Sequence, residues 1–351
     1  MTRAVTRLDL TRPQILAFRR HVGALDQRLA PGPDSLRRAA WAGLQDSMPR
    51  AALLSIHARV DGTDSAGWED PSLVQLWGPR FNVFVVAACD LAVFSLGTMP
   101  DDVRGRLRAE DLAARLRAAI GSGRTPHKEA GSRMGLADAN RLRYAAATGT
   151  VLIRWEGARQ PTVWTVPAPA MTAGDARLEL ARRYLRVFGP TTAAAFGQWA
   201  GIGPRPGIAA FAALGDSLTP VRTPVGDAWI LSADEAIFRA APSRAAPARL
   251  LPSGDAFFLL QGADRDLLVP DADRQRELWT SRVWPGALLV NGEITGTWRR
   301  AGQVLTVQPW RPLSAAERDA VAAEAASLPL PGIRGPVVVR WYERSGDQAL
   351  G

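Results

Sequence analysis

Three adjacent polar side chains, Gln45, Asp46 and Ser47, interrupt the apolar stretch AWAGLQDSMPRAALLSIHARV at residues 40–60. An amide, a carboxylate and a hydroxyl at a predicted helix start form a compact hydrogen-bonding group beside the positive end of the helix dipole. Such a group can orient a water molecule or stabilise positive charge on a substrate. The triplet is therefore our first candidate for a catalytic site.

The same residue types also cap helices. Asp46 or Ser47 suits an N-cap, and Pro49 suits the first turn of the helix that the pattern predicts over residues 48–60. This interpretation leaves Gln45 unexplained, because the pattern places it at the end of the preceding helix, where a buried amide needs partners. The residue types alone leave both interpretations open.

The charge balance favours a polyanionic partner. The 351 residues include 43 Lys and Arg against 34 Asp and Glu, a net charge of +9, and residues 1–60 hold ten arginines against four acids. A basic globular chain is attracted to nucleic acid. Cys89 is the only cysteine and the three histidines lack ligand spacing. We therefore expect no disulfide, no metal site and no cofactor.

The sequence predicts a soluble cytoplasmic protein. Its N-terminus, MTRAVTRLDLTRPQ, lacks the apolar core of a signal peptide. The longest apolar stretch, FNVFVVAACDLAVFSLG, is interrupted by Asp90 and is too short to cross a bilayer as a helix.

The predicted elements form three successive groups of helices followed by a hairpin. The first has helices over 11–29, with Thr11 as a cap, 34–44 and 48–60, then strands FNVFVVA and LAVFSLG. The second contains the loop TPHKEAGSR and ends in the hairpin VLIRWEGARQPTVWTV. The third, with Thr191 or Thr192 as a cap, ends in SLTPVRTPVGDAWIL. Helices followed by a hairpin are typical of a winged helix, so we predict units at 1–100, 101–170 and 171–241.

A different composition begins near residue 242 and predicts a β-rich C-terminal region, 242–351. Its predicted strands are FFLLQ, ALLVNGEITGTWRR, VLTVQPW and VVVRWYE. They surround one predicted helix, LSAAERDAVAAEAASL, where Ser314 and Glu317 have the spacing of a capping box.

Arginine and tryptophan side chains at predicted turns and hairpins are candidates for DNA contacts. Arginine contacts phosphates, and an aromatic ring can insert between base steps. Strand alternation is the competing interpretation, in which one face buries tryptophan and the other solvates arginine. The candidates are Arg50, Arg80, Arg154, Arg159, Arg205, Trp298, Arg299 and Arg300.

Six stretches, taken together, resemble the AlkZ-like winged-helix DNA glycosylases, and the resemblance covers residues 10–345. They are GLQDSMPRAALLSIHARV, LWGPRFNVFVVAACDLAVF, RLRYAAATGTVLIRWEGARQPTVW, TTAAAFGQWAGIG, LLVPDADRQRELW and GALLVNGEITGTWRR. The resemblance implies an α+β fold in which three tandem winged-helix units form a C-shaped basic cleft for double-stranded DNA. It also implies excision of alkylated bases, including bulky adducts of genotoxic natural products, and a role in self-resistance. We expect a monomer.

The family carries a Gln-x-Gln or Gln-x-Asp motif, and the corresponding positions here are Gln45 and Ser47. A hydroxyl thus replaces the second amide or carboxylate. The resemblance implies that Gln45 and Ser47 hold a water or contact the sugar. Asp46 is either a base, an electrostatic stabiliser or the helix cap, and Trp77 in the turn LWGPR is a candidate to stack on the adduct.

Two non-enzymatic functions compete with this hypothesis. A winged-helix transcription regulator usually carries basic residues along its recognition helix, whereas the corresponding segment here, IAAFAALG, has none. An architectural DNA-binding protein would use the basic residues and leave Gln45 without a function. Both alternatives predict DNA binding without release of a base.

Overall fold

The structure is a computed structural model that describes residues 7–46, 50–156, 160–240, 246–333 and 335–342. Helices and sheets are interspersed along the chain, which confirms the predicted α+β class. The α-helices are α1 (Arg12–Val22), α2 (Pro33–Ala39), α3 (Ala51–His57), α4 (Leu91–Leu96), α5 (Val103–Ile120), α6 (His127–Arg133), α7 (Ala173–Phe188), α8 (Ala193–Ala200), α9 (Pro204–Leu214), α10 (Glu235–Arg239), α11 (Asp264–Leu268), α12 (Ala272–Leu278) and α13 (Ala315–Ala326). Short 3₁₀ helices connect several of them, including Gly67–Glu69, Pro79–Phe81 and Ala139–Thr148.

The strands form three sheets. The strands are β1 (Leu8–Asp9), β2 (Leu44–Gln45), β3 (Leu73–Trp77), β4 (Val83–Ala87), β5 (Thr125–Pro126), β6 (Val151–Arg154), β7 (Thr162–Thr165), β8 (Leu218–Thr223), β9 (Gly226–Leu231), β10 (Arg249–Leu251), β11 (Gly286–Val290), β12 (Glu293–Ala301), β13 (Val304–Pro309) and β14 (Val338–Trp341). Their orders are β2-β4-β3-β6-β7-β5, β1-β8-β9 and β10-β11-β12-β13-β14.

The first two predicted units share one sheet. β3 and β4 form an antiparallel hairpin, as do β6 and β7, and Gln75 of β3 pairs with Ile153 of β6 to join the two hairpins. The N-terminal β1 pairs with β8, which belongs to the third predicted unit. Sheet pairing therefore crosses the predicted boundaries.

Local capping chemistry, where the sequence predicted it, is confirmed. Thr11 begins α1 with a full capping box to Gln14, and Thr192 caps α8 by accepting from the Ala195 amide. Ser314 and Glu317 form the predicted capping box at α13. These starts depend on neighbouring residues alone, which is why a short sequence window suffices to predict them.

The first predicted unit differs from the structure in three elements. The segment LAVFSLG forms the helix α4 and not a strand, and β4 pairs with β2 and β3, two strands that the sequence did not predict. The second helix ends at Ala39, so that Leu44 begins a strand. Residues 84–87 and 92–95 are buried, and a short segment that is buried on all sides carries no periodicity that separates helix from strand.

Three further predictions were also wrong, two of them outside the first unit and one at the end of α1. FFLLQ forms a buried turn segment and not a strand, and the loop TPHKEAGSR contains the helix α6, which begins at His127. α1 ends at Val22, seven residues before the end that the pattern predicted.

The main hydrophobic core surrounds α7. Its aromatic centre consists of Tyr184, Phe188, Phe196 and Trp199, all almost fully buried, with ring centroids 4.7–6.5 Å apart. The same cluster extends to side chains of β4, α4 and β11. Because one core gathers residues from most of the chain, it holds the segments that carry the candidate site in fixed relation to each other.

Candidate functional site

Gln45 lies on β2, at one edge of the six-stranded sheet, opposite Phe84 of β4. A strand and not a helix forms here because Gly43 turns the chain at a φ of 73°, where a Cβ would come within 2.9 Å of the Phe84 and Phe94 rings. The side chain of Gln45 is half-buried. Its Oε1 accepts a long hydrogen bond of 3.4 Å from Arg80 Nη2.

A buried ion pair positions the loop that packs against Gln45. Gly254 has a φ of 76°, and a Cβ on it would lie 3.1 Å from Gln45 Nε2. The next residue, Asp255, accepts two 2.7 Å hydrogen bonds from Arg59 and one of 2.6 Å from Ser55 Oγ. Burial favours a raised pKa for Asp255, but the Arg59 guanidinium and these hydrogen bonds hold the pKa below its ordinary value. The carboxylate thus stays ionised and keeps the glycine against the amide.

Asp46 is buried, with 1% of its surface exposed. Its Oδ1 accepts from the Ala52 amide at 3.0 Å in the first turn of α3, and its Oδ2 accepts from Gln75 Nε2 at 2.8 Å. Burial raises the pKa of Asp46 from 3.8 to about 6, although the Ala52 amide, Arg50 and Gln75 act in the opposite direction. Both oxygens are therefore engaged with the protein.

The hydrogen bonds continue from Asp46 to the β6–β7 hairpin. Gln75 Oε1 accepts from the Trp155 amide at 2.7 Å, so that Gln75 links the carboxylate to the residue after β6. The direction of each hydrogen bond in this series is fixed, because a backbone amide donates at each end, that of Ala52 at one end and that of Trp155 at the other. Asp46 therefore anchors the motif to the hairpin.

Two of the predicted site residues, Ser47 and Arg159, lie outside the described residues. Their predicted roles stay predictions.

Arg80 has an uncommon backbone conformation. Arg80 and Phe81 have φ values of 54° and 57°, in the left-handed region that side chains other than glycine rarely adopt. A Cβ on Gly201, in the turn after α8, would lie 3.1 Å from the Arg80 amide nitrogen. Burial lowers the pKa of Arg80. The tight turn directs its guanidinium toward Gln45.

A cavity of about 740 Å³ lies beside this turn. Phe81, Tyr144 and Ile202 give it apolar walls, and Arg205 lies at the start of α9 on its rim. The rings of Phe81 and Tyr144 meet edge to face at 4.8 Å. Asp101, one of the acidic residues that line the cavity, is ion-paired with Arg177.

Arg50 and Arg154 stack on the same indole. Their guanidinium carbons lie 3.7 Å and 3.5 Å from the ring centre of Trp68. Arg154 also pairs with Glu69 at 3.0 Å, and its pKa is lowered by burial. The sequence pointed to each arginine separately but not to the tryptophan between them.

Most arginines in the N-terminal excess serve the fold. Six of the ten pair with acids at 2.7–3.1 Å, namely Arg7, Arg12, Arg20, Arg28, Arg37 and Arg59. Arg19 is buried and donates to the carbonyl oxygens of Phe188 and Gly189. The local charge excess therefore overstates the basic surface available to a polyanion.

The three predicted contact residues on the β12–β13 hairpin differ in their exposure to solvent. Arg299 and Arg300 are exposed. Trp298 is only 5% exposed, crosses Gly286 of β11 and donates from Nε1 to the Leu251 carbonyl oxygen at 2.9 Å. Its assignment as a DNA contact is corrected, because the indole fills the core between strands.

Trp77 is also a core residue. It is 8% exposed and packs in the cluster around Leu116 and Ile153, with its ring 5.6 Å from that of His127. The hypothesis that it stacks on an adduct is corrected, because the helix α6 covers a side that the sequence suggested was an open loop.

In the described part of the chain, no three or more His, Cys, Asp or Glu side chains are grouped so that they could hold a metal ion. No helix within the same residues has both the length and the apolar character to cross a bilayer.

Comparison with known proteins places the site in a family. The model of the family described as "DNA glycosylase AlkZ-like" matches residues 38–329. The chain belongs to the AlkZ-like DNA glycosylase family. A solved structure of Streptomyces sahachiroi DNA glycosylase AlkZ matches with a TM-score of 0.75 and 18% identity, covering 95% of this chain and all of that chain. At this identity the likeness establishes the fold. A search of the curated proteins found no match.

Three residues of this AlkZ-like protein were missed by sequence reasoning, although each contacts a predicted site residue. Gln75 had one visible signal, since it is a lone amide in the apolar strand LVQLW. Trp68 and Gly254 had none, because their partners lie far away in the sequence. The structure brings Gln45 together with Arg80, and Arg50 together with Arg154.

Proposed function

We propose that this AlkZ-like protein is a monofunctional DNA glycosylase that hydrolyses the N-glycosidic bond of N7-alkylated purines, with bulky natural-product guanine adducts as its preferred substrates. The observation that carries the proposal is the placement of Gln45. Its amide is half-buried, contacts Arg80 and Gly254, and precedes an aspartate anchored at both oxygens. A polar group between neighbours that are fixed in this way is preorganised for chemistry.

The chemistry needs little more than such a group. A purine alkylated at N7 is already cationic, so it departs without protonation. Cleavage passes through an oxocarbenium-like state, and the enzyme must stabilise positive charge on the sugar and aim a water. The carbonyl oxygen of Gln45 accepts a hydrogen bond from that water, and Ser47 supplies the second oxygen of the motif.

Asp46 is assigned a positioning role in this proposal. Its raised pKa of about 6 is common among catalytic acids and bases, yet burial is its main cause. Both of its oxygens already accept hydrogen bonds from Ala52 and Gln75. Asp46 therefore sets the direction of the peptide that presents Gln45.

The partner in this proposal is double-stranded DNA bound by a monomer in a C-shaped basic cleft. Winged-helix units at 1–100, 101–170 and 171–241, with the region 242–351, would line that cleft. Support comes from the two hairpins β6–β7 and β8–β9 and from the exposed Arg205, Arg299 and Arg300.

The cavity beside Phe81 supports a preference for bulky adducts. Its volume of about 740 Å³ and its apolar walls suit the part of an adduct that extends beyond the purine. It shares the Pro79–Phe81 turn with Arg80, which contacts Gln45. Excision of such lesions would protect a cell that makes or meets the alkylating compound.

The test is release of base from defined duplexes. Purified protein is incubated with matched duplexes carrying 7-methylguanine, a bulky N7-guanine adduct or no lesion, and released base and abasic sites are measured. The proposal expects release from both lesions, faster from the bulky one, and none from undamaged DNA. Absence of release from every N7 adduct would refute it, and a footprint on one promoter sequence without abasic sites would favour a transcription regulator.

A further inference from the structure

Arg50 and Arg154 occupy opposite faces of Trp68. Both guanidinium carbons lie within 3.7 Å of the same ring centre. Two groups that close could not share one face, because each must keep van der Waals distance from the ring and from the other. The two stacking distances then put the guanidinium carbons about 7 Å apart.

The arrangement has features that the fold alone does not require. Arg50 adopts a φ of 66° directly before α3, a conformation that strains a residue with a side chain. Its Nη1 is buried and donates to no acceptor among the described residues. Burial lowers the pKa of Arg154, and the charge of Arg50 acts in the same direction, whereas Glu69 at 3.0 Å and Glu156 at 3.8 Å act in the opposite direction. Since these two carboxylates face Arg154, the evidence for an anion comes from Arg50. Its strained backbone and its buried, unpaired Nη1 indicate that an anion completes this site.

The position of the pair next to the motif specifies which anion. Arg50 opens the helix whose Ala52 amide binds Asp46. Arg154 precedes Trp155, whose amide binds Gln75, the second partner of Asp46. Two guanidinium groups about 7 Å apart match the spacing of consecutive phosphates along one nucleic-acid strand. Arginine is also the side chain best suited to bind phosphate through several donors.

We propose that Arg50 and Arg154, held on the two faces of Trp68, bind two consecutive phosphates of the DNA strand that carries the damaged base. Trp68 is the positioning residue, and Glu69 fixes the orientation of Arg154 through its 3.0 Å ion pair. The inference rests on the proposed function for its ligand, double-stranded DNA. Beyond the proposed function, it specifies which DNA strand is bound, how many phosphates are contacted and which residue sets the spacing of the two arginines.

The salt dependence of binding gives the first test. Affinity for an undamaged duplex is measured over a salt series for the wild type, Arg50→Gln, Arg154→Gln and the double variant. The slope of log affinity against log salt should fall in magnitude by about 0.9 in each single variant and by about 1.8 in the double variant. Arg274→Gln is the matched control, because Arg274 also stacks on a tryptophan, Trp310, but in the C-terminal region. Unchanged slopes in both single variants would overturn the proposal.

Replacing single phosphates by uncharged linkages identifies the two phosphates that the arginines bind. Single methylphosphonate linkages are placed in turn along the lesion strand of a second duplex, which carries one 7-methylguanine at a fixed position. At two consecutive positions, the uncharged linkage should weaken binding by the wild type. One of these linkages should have no further effect in Arg50→Gln, and the other should have no further effect in Arg154→Gln, because each arginine contacts one phosphate. Pairing of both arginines with one linkage, or with linkages on opposite strands, would contradict the proposal.

Trp68 is tested with two variants, because it is also a core residue at 4% exposure. Trp68→Leu, if its circular dichroism matches the wild type, should weaken binding and remove the one-to-one pairing although both arginines remain. Trp68→Phe keeps an aromatic face and should preserve the pairing. If the one-to-one pairing persists in both variants, Trp68 does not position the two arginines. All of these readouts measure binding, so failure to release base would refute the glycosylase and leave this site standing.

Discussion

The stability of Asp46→Asn relative to the wild type should rise as the pH increases from 4 to 7. Burial raises the pKa of Asp46 from 3.8 to about 6, so the folded state holds the proton more tightly than the unfolded state. For an acid with a raised pKa, the resulting stabilisation is complete below the unfolded pKa and is lost as the pH rises through the folded pKa. A difference of about two pH units corresponds to about 3 kcal/mol.

Asparagine has no proton to lose, so the variant lacks this pH dependence. Its side-chain nitrogen would face Gln75 Nε2, and Gln75 cannot simply rotate because its Oε1 already accepts from the Trp155 amide. The mismatch adds an offset of about 1–3 kcal/mol against the variant at all pH values. The free energy of unfolding of Asp46→Asn relative to the wild type should therefore rise by about 3 kcal/mol across the range.

The assay is urea unfolding of both proteins at pH 4, 5, 6 and 7 at constant ionic strength. Taking the difference removes the contributions of other titrating groups. Asp216→Asn, at an exposed carboxylate, controls for the loss of one charge. A difference that stays flat or falls with pH would refute the conclusion that Asp46 is buried and titrates near neutrality.

Three further predictions concern the core, the hairpin and a histidine. Trp298→Ala should lower the free energy of unfolding by ~3–5 kcal/mol in urea titrations, because the indole fills the core; a loss under 1 kcal/mol would contradict this. Arg299→Glu with Arg300→Glu should flatten the salt dependence of duplex binding by about 0.9 per lost phosphate contact, and an unchanged slope would remove the hairpin from the interface. Burial, with Arg28 and Arg249, lowers the pKa of His57 from 6.5 to about 4. Stability should therefore fall by about 3 kcal/mol as the pH drops from 7 to 4, and His57→Gln should lack this loss in the same titration; equal losses would show that protonation of His57 does not cause it.

The sequence predicted the elements whose signals are local. Thr11, Thr192 and Ser314 satisfy their own helix starts, and the β6–β7 and β8–β9 hairpins carry their alternating pattern within a few residues. The prediction failed where burial is complete on all sides. Helix α4 resembles a strand in sequence because nearly every residue faces the core, and Asp90 before it is neutralised by Arg37 and Arg183 from distant helices.

The candidate site divides in the same way. Gln45 was visible as an amide without an apparent partner, and Arg50 and Arg154 as basic residues at element ends. Trp298 was misassigned because strand alternation cannot foresee that Gly286 leaves room for an indole on the neighbouring strand. Trp68 is seen only in the structure, since its two arginine partners lie 18 and 86 residues away.

The most direct test of the central claim is single-turnover excision by Gln45→Ala. The substrate is a duplex with one N7-alkylguanine, and its binding is measured on the same material. Gln198→Ala, at an exposed glutamine of α8, is the matched control. If the Gln45 amide stabilises the transition state, its loss should slow excision by on the order of 100-fold or more, and the control should keep the wild-type rate.

Binding separates a catalytic role from a structural one. Gln45→Ala should bind the damaged duplex with nearly wild-type affinity but release almost no base. Base release at the wild-type rate from a folded Gln45→Ala protein would contradict the account.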